Sequence, residues 1–85
     1  MFCNQCQETL RNSGCNIAKG MCGKTAETAH LQDLLLYVCK GIGYWADNAR
    51  AVGYFPEEDA FFVTRMLFAT ITNANFAPSD FEHWI

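Results

Sequence analysis

Four cysteines, Cys3, Cys6, Cys15 and Cys22, stand near the start of the chain in the order C-x2-C-x8-C-x6-C, ahead of any long helical pattern. A thiolate is the soft anionic ligand that iron-sulfur clusters and zinc select, and four of them complete a tetrahedral sulfur set. The first pair, two residues apart, lets one tight turn aim both sulfurs at a common centre. Gly14, Gly20 and Gly23 punctuate the loop that carries the other two. Disulfides fit poorly, because a total of five cysteines leaves one thiol over and no apolar signal segment precedes Cys3. Structural zinc sites favour two short knuckles, and only one short pair is present here. The larger radius of an iron-sulfur cubane accommodates the uneven second half, so the spacing favours a cluster, with zinc as the alternative. The pattern matches neither the bacterial nor the plant-type ferredoxin spacing.

The stretches M-F-C-N-Q-C-Q-E-T at 1–9, G-M-C-G-K-T at 20–25, L-Q-D-L-L at 31–35 and F-A-T-I-T-N-A-N at 68–75 resemble the start of the hybrid cluster proteins, also called prismane proteins or hydroxylamine reductases. The resemblance runs along the whole chain. It implies that Cys3, Cys6, Cys15 and Cys22 hold a proximal cluster. The eight-residue gap between Cys6 and Cys15 is similar to the family branch that carries 4Fe-4S, whereas a longer gap goes with 2Fe-2S. Members of that family are several times longer, and the ligands of their catalytic hybrid cluster lie in regions without a counterpart in these 85 residues. No catalytic residue is therefore carried over. The implied role is one-electron transfer, as in the electron-entry module of that enzyme. The other readings are a fragment of the full hydroxylamine- or nitric-oxide-reducing enzyme and a zinc-stapled interaction module held by the same four cysteines. The expected partner is a redox protein or the remainder of such an enzyme.

Composition sets the surroundings. A chain of this length buries proportionately little surface and gains from a metal staple. The formal net charge of -3 argues against nucleic acid and anionic membrane as partners, the more so when four thiolates and a 2+ cubane bring it to about -5. No apolar run reaches the roughly 18 residues of a membrane span, and a reducing cytoplasm is the expected location.

The scaffold reads as all-α: one domain over 1–85, with a cluster-binding loop at 1–24 and helices from 25 to 85. An antiparallel hairpin is followed by the start of a third helix. Thr25 is placed to cap a helix with Glu27 in its first turn, running to Val52 with Gly53 at the stop. Leu31, Leu34, Leu35, Val38, Ile42 and Trp45 make its apolar stripe, and Asp33, Lys40 and Asp47 lie opposite. Pro56 suits the first position of a second helix reaching Asn73 or Asn75, with Glu57, Glu58 and Asp59 at its positive end. That helix is apolar on three sides, with Arg65 and Thr72 as its polar line. Ser79 to Glu82 reads as a capping box that opens a third helix after Pro78. The apolar sides, with Phe76, Phe81, Trp84 and Ile85, predict a homodimer through the second helices.

Remaining features take plainer readings. Lys24-Thr25 after Gly23 is similar to the end of a phosphate loop, but Ala18 replaces the first glycine and no strand precedes it. Unpaired N–H groups at the start of the long helix are placed to donate to cluster sulfurs. Arg11, Lys19 and Lys24 surround the loop as a solvated rim or as compensating charge. Cys39 reads as a small buried hydrophobe rather than a ligand. His30 and His83 have no partner at metal-ligand spacing, although His30 is near enough in sequence to couple a cluster to pH.

Overall fold

The computed structural model describes residues 1–7, 10–71 and 74–85, and among them the chain forms three α-helices and a short 3-10 turn at Leu10–Asn12. The first helix, α1 (Ala26–Ala51), begins where the sequence predicts. Thr25 is extended, and its Oγ1 accepts the Thr28 N–H at 3.3 Å. It also ends as predicted: Gly53 adopts φ 91°, its N–H bonds Arg50 O at 3.0 Å, and Tyr54 N–H bonds Ala49 O at 3.0 Å. Those two bonds form a Schellman motif, which satisfies carbonyls the helix would otherwise leave unpaired.

The second helix, α2 (Glu57–Ala69), folds back along α1 in antiparallel register. Ile42, Ala46 and Arg50 face Pro56, Asp59 and Val63 across one end, while Leu35 and Cys39 meet Met66 and Ala69 further along. It is shorter than the pattern suggests. Pro56 is the N-cap rather than the first helical residue, and the helix closes at Ala69 instead of Asn73 or Asn75. Two bonds explain the early end. The Thr70 hydroxyl turns back to Leu67 O at 2.8 Å, and the Thr70 carbonyl is taken by Lys24 Nζ at 3.0 Å, so neither group supports another turn. Asn75 lies beyond the helix, and Thr72 and Asn73 lie outside the described residues.

The third helix, α3 (Pro78–Trp84), starts two residues earlier than a Ser79 cap would allow, with Ala77 as its N-cap. Pro78 takes the first helical position, which suits a residue without an N–H, and Asn75 shapes the entry. Its Oδ1 accepts the Ala77 N–H and its Nδ2 donates to Asp80 Oδ2, both at 2.8 Å. Phe81 is fully buried, contrary to the expectation of an exposed aromatic on an incomplete helix. It completes a core of Leu35, Cys39, Met66 and Ala69, and its burial alone contributes roughly 1.5 to 3 kcal/mol.

That docking rotates the buried face of α1. Two neighbours converge on Leu35 and Cys39, and the line extends through Gln32 and Thr28 toward the N-terminus. Trp45, predicted in the stripe, is 71% exposed, and Leu34 is exposed as well. The polar end of the buried face is not idle. Thr28 Oγ1 donates to Phe76 O at 3.0 Å and Gln32 Nε2 to Asn75 O at 3.2 Å, clamping the segment between α2 and α3 onto α1.

Candidate metal centre

The cysteine loop is built from two short backbone pairings. Cys3 and Cys15 form an antiparallel bridge, Cys3 N to Cys15 O at 2.8 Å and Cys15 N to Cys3 O at 2.7 Å. Residues directly opposite in such a pair project to the same face. Between them, Arg11 and Asn12 both adopt left-handed conformations (φ 53° and 59°) and reverse the chain. Gly14 then brings the backbone in close. Its φ is 97°, which disfavours any residue with a Cβ, and a Cβ there would lie 2.6 Å from the Phe2 ring, so the bridge favours glycine.

The second pairing, Lys19 with Thr25, frames a tight turn in which Gly23 N bonds Gly20 O at 2.9 Å and Gly20 N bonds Lys24 O at 2.9 Å. Cys22 sits in that turn and is half-buried. Cys15 is buried, Cys3 and Cys6 are half-buried, and all five cysteines are free thiols. Of the four predicted ligands, the backbone brings Cys3 and Cys15 directly together. Cys6 follows one turn after Cys3, and Cys22 is presented from the adjoining hairpin. Among the described residues, no three His, Cys, Asp or Glu side chains form a group that would hold a single metal ion.

Lys24 is the residue whose position the sequence does not convey. Its side chain is 2% exposed and turns inward, where Nζ donates to Cys3 Sγ at 3.3 Å and to Thr70 O at 3.0 Å. A buried ammonium demands an anionic or strongly polar partner. A buried cationic donor set against Cys3 Sγ suits a sulfur that serves as an anionic metal ligand. The phosphate-loop likeness fails on the same geometry, since Lys24 points into the protein and Thr25 Oγ1 is engaged at the helix cap. The predicted helix N–H donors are partly used as well: Thr28 N–H goes to Thr25 Oγ1, and the donor observed at a cysteine sulfur is the Lys24 side chain.

The loop is anchored to the helices at three points. Besides the Lys24 link, Gln5 Oε1 approaches Thr70 Oγ1 at 3.5 Å, which sets the Cys3–Cys6 turn beside the end of α2, and Thr25 opens α1. Thr70 is a second residue that sequence reasoning missed, because its role depends on partners 46 and 65 positions away. Arg11 and Lys19 are exposed. His30 and His83 are exposed on α1 and α3. Cys39 lies 4% exposed in the helical core, where burial pushes its thiol above the ordinary range and keeps it protonated.

Residues 1–85 match the Prismane/CO dehydrogenase family along their full extent. A hydroxylamine reductase of Petrotoga mobilis is 60% identical over 76 residues, which is 89% of this chain and 14% of that protein. Hydroxylamine reductases of Halothermothrix orenii and Nitratidesulfovibrio vulgaris are 52% and 51% identical over all 85 residues, and in each case the chain spans 15% of the relative's length.

Proposed function

The chain belongs to the prismane/CO dehydrogenase family, and on that premise we propose that its cysteine loop is a one-electron relay built on Cys3, Cys6, Cys15 and Cys22. The observation that carries this reading is the buried Lys24 ammonium set against Cys3 Sγ in a loop that presents four free thiols. The group these residues would hold is a 4Fe-4S cluster, with 2Fe-2S or zinc as alternatives, and when bound it supplies single-electron oxidation and reduction. Cys3 and Cys15 supply paired ligands from one face of the bridge, and Cys6 and Cys22 supply ligands from the two adjoining turns. Gly14 keeps the bridge closed. Lys24 holds the loop against α2, so the ligand sulfurs would have little freedom to follow a change of charge. That rigidity suits electron transfer, which needs no acid, base or substrate pocket.

In a protein of the relatives' length, this segment would pass electrons toward a site elsewhere that acts on hydroxylamine. A reducing cytoplasm is the compartment we propose, supported by the five free thiols. Among the described residues no helix is long and apolar enough to cross a membrane. The exposed α2 face, with Phe61 and Phe68 each 66% exposed, supports self-association of the isolated chain as a homodimer.

Iron, sulfide and zinc analysis of anaerobically prepared chain, with an EPR spectrum after dithionite reduction, tests the relay. The expected result is near-stoichiometric cluster, a reduced-state signal, and no catalytic turnover of hydroxylamine. Zinc without sulfide, or turnover by these residues alone, would sink it.

A further inference from the structure

We propose that Lys24 is the fixed counter-charge of the centre, held against the Cys3 sulfur and favouring the reduced state of a bound cluster; this rests on the relay reading above. Three basic side chains lie in the loop, and the structure separates them. Arg11 and Lys19 are exposed, where water and salt screen their charge. Lys24 is 2% exposed and within 3.3 Å of a ligand sulfur.

Its position is enforced at both ends of the side chain. The Lys24 carbonyl accepts Gly20 N–H at 2.9 Å, and the next residue caps α1. A Cβ on Gly20 would lie 3.3 Å from Lys24 Cβ, so the absence of one clears the stem. At the tip, Nζ is held by Thr70 O, at the negative end of the α2 dipole. The ammonium therefore stays beside Cys3 whatever the charge on the centre.

One electron from an external donor would make a bound cluster one unit more negative, and Lys24 Nζ lies 3.3 Å from the Cys3 sulfur that would ligate it. A nearby fixed positive charge stabilises the more negative state more strongly, and hydrogen bonds to cluster sulfurs act in the same direction. Lys24 also carries this coupling into the hairpin, because the same ammonium closes the last turn of α2. It is a positioning and tuning residue rather than a catalytic one.

Redox titration followed by EPR, on loaded wild type, Lys24→Gln, Lys24→Met and Lys24→Arg, reads the effect directly. At a potential poised at the wild-type midpoint, the two neutral variants should show at least a tenfold lower ratio of reduced to oxidised cluster. That corresponds to about 59 mV for one electron. Lys24→Arg should recover most of the difference. Unchanged midpoints in loaded neutral variants would overturn the role of Lys24 while leaving the relay intact, whereas wild type without iron and sulfide would overturn the relay itself. Should the neutral variants fail to fold or load, pulsed EPR of reduced wild type labelled with 15Nζ-lysine decides. A weak nitrogen hyperfine coupling is expected, and its absence would overturn the proposal.

Discussion

Cys3 and Cys15 exchange both of their backbone hydrogen bonds, at 2.8 and 2.7 Å, so two of the four candidate ligands are registered against each other by main chain alone. Replacing any of Cys3, Cys6, Cys15 or Cys22 with Ala should strongly lower iron content and weaken the fold, because metal binding in so small a domain is also folding energy. Cys39→Ala should leave iron unchanged. Iron analysis beside thermal melts separates the two classes, and full occupancy in one of the four loop variants would show that the ligand set is misassigned.

Gly14→Ala should destabilise the loop by about 1 to 3 kcal/mol, since φ 97° is strained for alanine and its Cβ meets the Phe2 ring. Gly43 supplies the opposite sign. It lies in the exposed interior of α1, where an added Cβ meets nothing within 4 Å, and Gly43→Ala should gain about 0.5 to 1 kcal/mol. Urea melts of both variants check the pair, and a stabilised Gly14→Ala would contradict the bridge geometry.

Phe81→Ala should cost about 3 to 5 kcal/mol, because the ring is fully buried between α1 and α2. Phe68, 66% exposed on α2, should behave differently. Its replacement by Glu should leave the monomer folded and shift the chain toward monomer in light scattering across a dilution series. A strictly monomeric wild type at micromolar concentration would refute self-association through this face.

Cys39 gives a pH dependence. Burial raises its thiol above the ordinary range, so the folded state holds that proton more tightly than the unfolded state does. Its contribution to stability is complete below the unfolded pKa and is lost as pH rises through the folded one. Stability measured in alkaline buffers should fall more steeply for wild type than for Cys39→Ala, and parallel profiles would count against the buried thiol.

Features set within a few residues are legible in the sequence, and features set by distant partners are not. The Thr25 cap and the Gly53 stop follow from neighbouring residues, and both stand where the pattern puts them. Trp45 leaves the predicted stripe because the direction from which α2 and α3 approach decides which side of α1 is buried. The end of α2 depends on Lys24, 46 residues earlier. Ser79 lies inside α3, because Pro78 takes the first helical position behind an Ala77 N-cap whose N–H is held by Asn75 Oδ1. The cysteines are visible as a set through their spacing. The inward turn of Lys24 has no signature beyond its place between Cys22 and a helix cap.

At 1.5 Å per residue, the 26 residues of α1 make a strut about 39 Å long, close to the 44 Å longest dimension of the molecule. The Cys22 turn leads into one end of this strut, the Cys3–Cys6 turn lies along its first half beside Asp33, Leu36 and Lys40, and Tyr54 and Phe55, both exposed, mark the far end. On the proposed relay reading, a donor would approach the half of the molecule that carries the loop, while anything that grasps the aromatic tip would hold the protein by a handle at the other end.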